Sequence, residues 1–200
     1  MDYISKNDYL TDAEMEVNAR TIFKTLRAYN WSKESICAML GNMESESTIN
    51  PGIYEGLDSS SSTNGFGLVQ WTPNRFFKLW VDEQGSNDYG NLFIQLSRIR
   101  YELDNGLQWI ETDAYPMSFE SFSKSTRDVE TLAQAFLYNY ERPASLDQPN
   151  RSTQARKWYN LLVNENPDTP DTPDTPDEPG QPSSSTRMSK LLFYFAGIRR

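Results

Sequence analysis

Glu44 and Glu46 lie in the run Gly41-Asn42-Met43-Glu44-Ser45-Glu46-Ser47-Thr48-Ile49-Asn50-Pro51. Apolar Ile36, Met39, Leu40 and Met43 recur at helical spacing just before them. At about 100° per residue, Glu46 falls at the edge of that stripe, after Met39 and Met43 on the same side. Glu44, one turn after Leu40, falls on the opposite flank and reads as surface. Asn50-Pro51 stops the helix, because the residue before proline avoids the α region. Glu46 therefore sits in the last turn. Apolar neighbours and the negative end of a helix both work against a charged carboxyl. A carboxyl that holds its proton near neutral pH is what a general acid needs, and protonation of a glycosidic oxygen is a reaction that uses one. The same position also suits a solvated last-turn acid, and one helix does not separate the two.

Two further segments offer chemistry. In Gly65-Phe66-Gly67-Leu68-Val69-Gln70-Trp71 the glycines permit close backbone approach. Gln70 can both donate and accept hydrogen bonds to a sugar amide or hydroxyl. Trp71 offers a flat face for a sugar ring, or fills the core. In Phe136-Leu137-Tyr138-Asn139-Tyr140-Glu141-Arg142-Pro143, Tyr138 or Tyr140 can hydrogen-bond an acid or a substrate. Ordinary aromatic packing, with Glu141 and Arg142 as surface charges, fits that segment equally well.

Composition narrows the chemistry. The 200-residue chain has no histidine and a single cysteine. Ser-His-Asp and Cys-His catalysis, HExxH sites and zinc cages are thereby removed. Catalysis must rest on carboxylates, tyrosines, lysines or an oxygen-bound metal. Cys37 lies in an apolar stretch and reads as an inert core thiol. The net charge of −9 argues against nucleic acid, which wants a basic face. No apolar run reaches the ~18 residues of a transmembrane helix. The start, Met1-Asp2-Tyr3-Ile4-Ser5-Lys6, has no signal-peptide pattern, so export by a cleaved signal is not expected.

The elements that must position these residues are mostly helical. Thr11 and Glu14 form a capping box, followed by a stripe of Met15, Ala19, Ile22, Phe23 and Leu26. A second helix starts after Ser32. Residues 53–73 predict loop, short strand and turn. Further helices are expected over 74–84, 91–110, 118–124, 127–140 and 151–163. The expected fold class is α+β, mostly α, with a small β or irregular insert after the second helix. Residues 1–163 read as one domain. Residues 164–186 repeat Asp-Thr-Pro, carry six acids and no base, and read as an extended polyproline-like linker. Residues 187–200 form a basic and apolar tail, too short to span a bilayer. It suits docking on a partner or an anionic surface, packing on its own domain, or no role at all.

Taken in order, three motifs resemble a known family. Gly41-Asn42-Met43-x-Ser45-Glu46-Ser47-x-Ile49-Asn50-Pro51-Gly52, then Gly65-Phe66-Gly67-Leu68-Val69-Gln70-Trp71-Thr72-Pro73, then Tyr140-Glu141-Arg142-Pro143 closely resemble phage tail lysozymes. Lytic transglycosylases and goose-type lysozymes share this arrangement within the lysozyme-like superfamily. The resemblance spans roughly residues 3–163 and implies a lysozyme-like fold. It implies a bacteriolytic, antimicrobial type of enzyme at the tail tip of a short-tailed phage of Gram-positive bacteria. Its substrate would be the β-1,4 bond of peptidoglycan glycan strands, cut without cofactor or metal.

By that resemblance Glu46 matches the general acid, Gln70 meets substrate, and Tyr140 lines the cleft beside Trp71 and Tyr138. Asp58, between Glu46 and Gln70, is the candidate second carboxylate, or simply a turn aspartate. If no second carboxylate serves, lytic transglycosylation with one glutamate is the alternative. A non-catalytic wall-binding tip protein is the competitor from another class. Relatives with an added zinc peptidase domain need histidine ligands, so peptide cleavage is not expected here. Phage tail proteins are the partners proposed for residues 187–200.

Overall fold

The computed structural model describes residues 2–164, so the linker and tail expected at 164–186 and 187–200 lie, beyond Asn164, outside the described residues. Seven α-helices account for nearly half of that span: α1 (Asp12–Arg27), α2 (Lys33–Ser47), α3 (Asn74–Glu83), α4 (Leu92–Asp104), α5 (Phe119–Lys124), α6 (Val129–Phe136) and α7 (Asn150–Tyr159). The fold is mostly α, as its sequence indicates.

Local chemistry sets the starts. Thr11 Oγ1 accepts from Glu14 N–H, and Thr11 N–H donates back to the Glu14 carboxylate at 2.9 Å. Ser32 Oγ accepts from Ser35 N–H to open α2. That helix is central, and Ile36, Cys37, Ala38, Met39, Leu40 and Met43 have no exposed surface. A helix apolar on nearly all sides belongs inside a bundle. Here α1, α5, α6 and α7 enclose it, with α7 the most extensive neighbour. Burial pushes the Cys37 thiol up in pKa, in keeping with an inert core residue.

The end of α2 is abrupt. Thr48 and Ile49 both adopt the left-handed conformation, with φ of 53° and 55°. β-branched residues rarely go there, at a cost on the order of 1–3 kcal/mol each. Buried asparagines hold the reversal in place. Asn50 Nδ2 donates to the carbonyls of Lys6 and Asp8, while Asn18 Nδ2 donates to those of Ile4 and Ile49. The segment before α1 is thereby strapped behind the tip of α2.

The short strand expected within 53–73 does not form. One antiparallel bridge joins Tyr54 to Phe66, a short 3-10 helix covers Glu55–Leu57, and the remainder is turn, bend and irregular chain. Gly67 (φ 78°) and Gln70 (φ 49°) both bend the chain back before a ladder can extend. Buried Gln95 of α4 fixes this insert, accepting from Leu68 N–H and donating to the carbonyls of Pro51 and Tyr89. Ser47 Oγ, at the end of α2, donates to Leu68 O at 2.9 Å.

Elsewhere, three helices are shorter than their patterns predict: the one expected over 151–163 ends at Tyr159 and passes into a π-turn, Asn160–Asn164. The one expected to reach 110 ends at Asp104, before Gly106 with φ of 63°. The one expected to reach 140 ends at Phe136 and passes into a π-turn, Leu137–Glu141.

Candidate active site

Glu46 stands in the wall of a cleft of about 1030 Å³ that runs between the end of α2, the insert, α4 and the π-turn. Gln70, Trp71 and Tyr140 line the same cleft. Asp58 and Tyr138 are not brought to it. Asp58 lies on the exposed insert, and its carboxylate accepts from Ser60 Oγ and N–H, which lower its pKa. Tyr138 packs edge-on against Tyr115 and lines a separate shallow groove beside Gln148 and Pro149.

The placement of Glu46 depends on α7. An added Cβ at Gly41 would lie 2.5 Å from Ala155 N and from Arg151 O, so only glycine lets α7 approach α2 this closely. The approach delivers Arg151, whose side chain is 4% exposed. Its guanidinium donates to Asn42 Oδ1 at 3.1 Å and to Glu46 Oε1 at 2.5 Å. Glu46 itself is 21% exposed, enough to meet a ligand in the cleft. The apolar setting expected from α2 alone thus includes a cation supplied by a distant helix.

Glu44 differs from its expected surface role. It is 12% exposed, accepting from Lys157 Nζ and Trp158 Nε1, both at 2.7 Å. It is a second tie between α2 and α7.

Glu102 organises the opposite side. This buried carboxylate, 1% exposed, accepts from Trp71 Nε1 (2.9 Å), Arg98 Nε (2.8 Å) and Tyr140 Oη (2.5 Å). Burial, then the Glu102 charge, hold the Tyr140 phenol well above its ordinary pKa. The Trp71 ring also stacks on Phe77, with centroids 4.5 Å apart. Trp71 and Tyr140 are therefore fixed wall groups, their polar atoms already engaged. Gln70 donates its amide N–H to Gly67 O at 2.9 Å, which holds its side chain along the insert. Phe76, in contrast, lines the cleft with 57% of its surface exposed, under the Arg75 guanidinium.

Glu141 is the residue whose role the sequence pattern misses. The π-turn closes with Arg142 N–H donating to Leu137 O at 2.8 Å, five residues back. This i to i+5 closure brings Glu141 into the cleft wall beside Tyr140, a position a continuing α-helix would turn away. Its Oε1 is fully buried and, among the described residues, has no hydrogen-bond partner. Burial first and the negative charge of Glu46 second push its pKa well above the carboxylate range, against the pull of Arg151 and Arg142. The π-turn is clamped from outside: Arg142 Nη1 donates to Asn139 O and Gln108 O, and Gln108 Nε2 donates to Tyr140 O.

This arrangement suits acid chemistry on an elongated polar ligand. One cleft holds the partly exposed carboxyl of Glu46, the carboxyl of Glu141 with one buried oxygen, and rigid aromatic walls. Among the described residues no group of three or more cysteines and acids is placed to hold a metal ion, and no helix is long and apolar enough to cross a membrane.

Residues 17–162 match the family described as phage tail lysozyme. Morphogenesis protein 1 of Bacillus phage B103 is 47% identical over 161 residues, which cover 80% of this chain and 43% of that protein. The chain thus spans less than half the length of this relative.

Proposed function

The chain belongs to the phage tail lysozyme family, and on that premise we propose that it cleaves peptidoglycan glycan strands at the β-1,4 bond between N-acetylmuramic acid and N-acetylglucosamine. The observation that carries this reading is the carboxyl of Glu46 in the cleft wall, held by Arg151 on one oxygen.

Glu46 protonates the glycosidic oxygen as its bond to the sugar C1 breaks. An oxocarbenium-like centre develops in a cleft whose carboxylates favour positive charge. The exposed ring of Phe76 and the amide of Gln70 position the sugars, against a wall that Trp71 and Tyr140 keep rigid. Water then completes hydrolysis.

Lytic transglycosylation on the same bond is the second reading, favoured by the position of Asp58 outside the cleft. With that carboxylate away from the reacting bond, the substrate's own hydroxyl can close a 1,6-anhydro ring.

Clearing of purified Gram-positive cell walls tests the assignment. Wild type should clear them and Glu46→Gln should fall by at least about a hundredfold, the usual span of general-acid catalysis. Equal clearing by both, or none by wild type, refutes it. Mass spectrometry of the products separates hydrolysis, which leaves reducing ends, from transglycosylation, which leaves 1,6-anhydro ends.

The phage relative supports a particle-borne enzyme for local wall penetration, with residues 187–200 as its attachment to tail proteins. Deleting those residues should abolish incorporation into particles and leave wall clearing unchanged. Full incorporation without them removes the attachment role.

A further inference from the structure

The aromatic rings of the cleft differ in what already covers them. Tyr54, Trp71, Phe77 and Tyr140 each pack against another ring. Phe76 lies under the Arg75 guanidinium. Tyr9 lines the same cleft at 59% exposure, the most exposed large apolar side chain among the described residues. Among those residues no ring packs on it, no cation lies over it, and its hydroxyl has no hydrogen-bond partner.

A lone exposed tyrosine is commonplace on a protein surface, but this one stands in a cleft on a fixed backbone. The chain is tied down on both sides of it. Asp8 O accepts from Asn50 Nδ2 at 2.6 Å, and Leu10 N–H donates to Thr48 Oγ1 at 3.0 Å. The Leu10 side chain is buried in the core. Tyr9 N–H itself donates to Asp8 Oδ1 at 2.8 Å. Asn7 joins the same stretch to the insert, accepting from Tyr54 N–H at 3.0 Å and donating to Leu57 O at 2.9 Å. The segment before α1 thus carries Tyr9 where the insert meets the end of α2, and its anchor Thr48 follows Glu46 by two residues.

We propose that Tyr9 is a sugar-binding platform, its ring taking the C–H face of a pyranose in the glycan strand that the cleft holds. This rests on the glycan-cleaving reading of the cleft. A pyranose shows C–H groups on its face and hydroxyls at its edge. A tyrosine ring offers the matching flat apolar surface with a polar tip. The backbone that carries it is ordered before any ligand arrives, so little freedom is lost on binding. Trp71 and Tyr140 are already spent, buried and giving their N–H and O–H to Glu102. Tyr9 on the segment before α1 and Phe76 on α3 then hold the strand at two points. Tyr9 meets the sugar in ground state and transition state alike, so the contact acts on KM rather than on kcat.

The test compares full-length wild type, Tyr9→Ala, Tyr9→Phe and a control, Tyr29→Ala, whose exposed ring lies under Arg100 and outside the cleft lining. Thermal melts show that each variant is folded. On solubilised glycan strands Tyr9→Ala should raise KM about tenfold, the upper worth of one aromatic contact, and lower kcat by less than about twofold. Tyr9→Phe keeps the flat face and should recover most of the affinity. Tyr29→Ala should match wild type. Wild-type KM in folded Tyr9→Ala, a loss confined to kcat, or an equal loss in Tyr29→Ala overturns the proposal.

Tyr9→Trp in the Glu46→Gln background provides a second reading that needs neither turnover nor the alanine variant. Its added indole starts in water. Glycan strands, at concentrations that calorimetry shows to be saturating, should shift its emission to shorter wavelength beyond any change in Glu46→Gln alone. An unmoved emission overturns the proposal. Cleavage by wild type with no dependence on Tyr9 overturns the platform and keeps the glycan-cleaving reading. Tyr9-dependent binding of strands without cleavage keeps the platform and overturns that reading. Strands neither bound nor cut overturn both.

Discussion

Replacing Gly41 by alanine should damage both the fold and the reaction, through one contact. The new Cβ would sit 2.5 Å from two backbone atoms of α7, about 0.9 Å short of the closest ordinary contact of 3.4 Å. Backbone cannot swing aside as a side chain can, so α7 must retreat by roughly that amount. Overpacking of this kind costs about 1–3 kcal/mol. Alanine recovers up to ~1 kcal/mol of helix propensity over glycine. The backbone clash places the cost at the top of its range, leaving a net loss of about 2 kcal/mol. For a domain of this size that lowers Tm by roughly 4–8 °C.

Activity should fall further than stability suggests. Retreat of α7 draws Arg151 off Glu46, and misplacement of catalytic geometry by about 1 Å can reduce rate by ~100-fold. Thermal melting and wall clearing on the same preparation measure the two effects. Adding Ala155→Gly should not rescue the variant, because the Ala155 Cβ is the lesser obstacle at 2.8 Å. A Gly41→Ala protein that melts within 1 °C of wild type at full activity, to take about the smallest reliable shift, would refute the reasoning.

Three further outcomes follow from named contacts. Asp58→Asn should leave wall clearing essentially intact and shift stability by no more than about 0.5 kcal/mol, as exposed positions do; a hundredfold loss in the clearing assay would return Asp58 to the mechanism. Trp71→Phe keeps the stacked ring but removes the N–H that reaches Glu102, so urea unfolding should show a loss of about 1–3 kcal/mol; an unchanged midpoint would show the bond to be dispensable. The raised pKa of Glu141 means the folded state keeps a proton that the unfolded chain surrenders near pH 4.5. Its contribution is full below that pH and is lost as pH rises towards the folded value. Wild type should therefore lose stability relative to Glu141→Gln as pH rises above about 4.5 in thermal melts, and parallel curves would contradict this.

Much of the scaffold was legible because its signals are local. The Thr11–Glu14 box, the Ser32 cap and the Asn50-Pro51 stop each act within a few residues, and the structure has α1 and α2 where those signals put them. The short strand expected within 53–73 does not form because residue types there say nothing of the positive φ that Gly67 and Gln70 adopt. Glu44 was misplaced because its burial depends on Lys157 and Trp158, more than a hundred residues away.

Of the six candidate site residues, four come together and Asp58 and Tyr138 do not. Glu46, Gln70, Trp71 and Tyr140 share one cleft, and each sits in a motif with a clear local reason. Arg151 and Glu141 were hidden for different causes. Arg151 reaches Glu46 only because Gly41 lets α7 close in. Glu141 enters the wall only because the chain shifts to a wider turn at Leu137, for which α-helical periodicity offers no warning.

The strap formed by residues 4–8 has a practical meaning. Irregular backbone at a domain's start is usually trimmed or extended at will. Here its amide groups are the fittings that Asn18 and Asn50 grip behind the end of α2. Removing it would leave two polar side chains facing an empty seat and let the Thr48–Ile49 hinge relax. An engineer joining a reporter or a targeting module ahead of this domain should place the seam before Asp2, whose carbonyl Thr21 holds and whose neighbour Tyr3 packs on Phe93, and leave the stretch from there to α1 untouched.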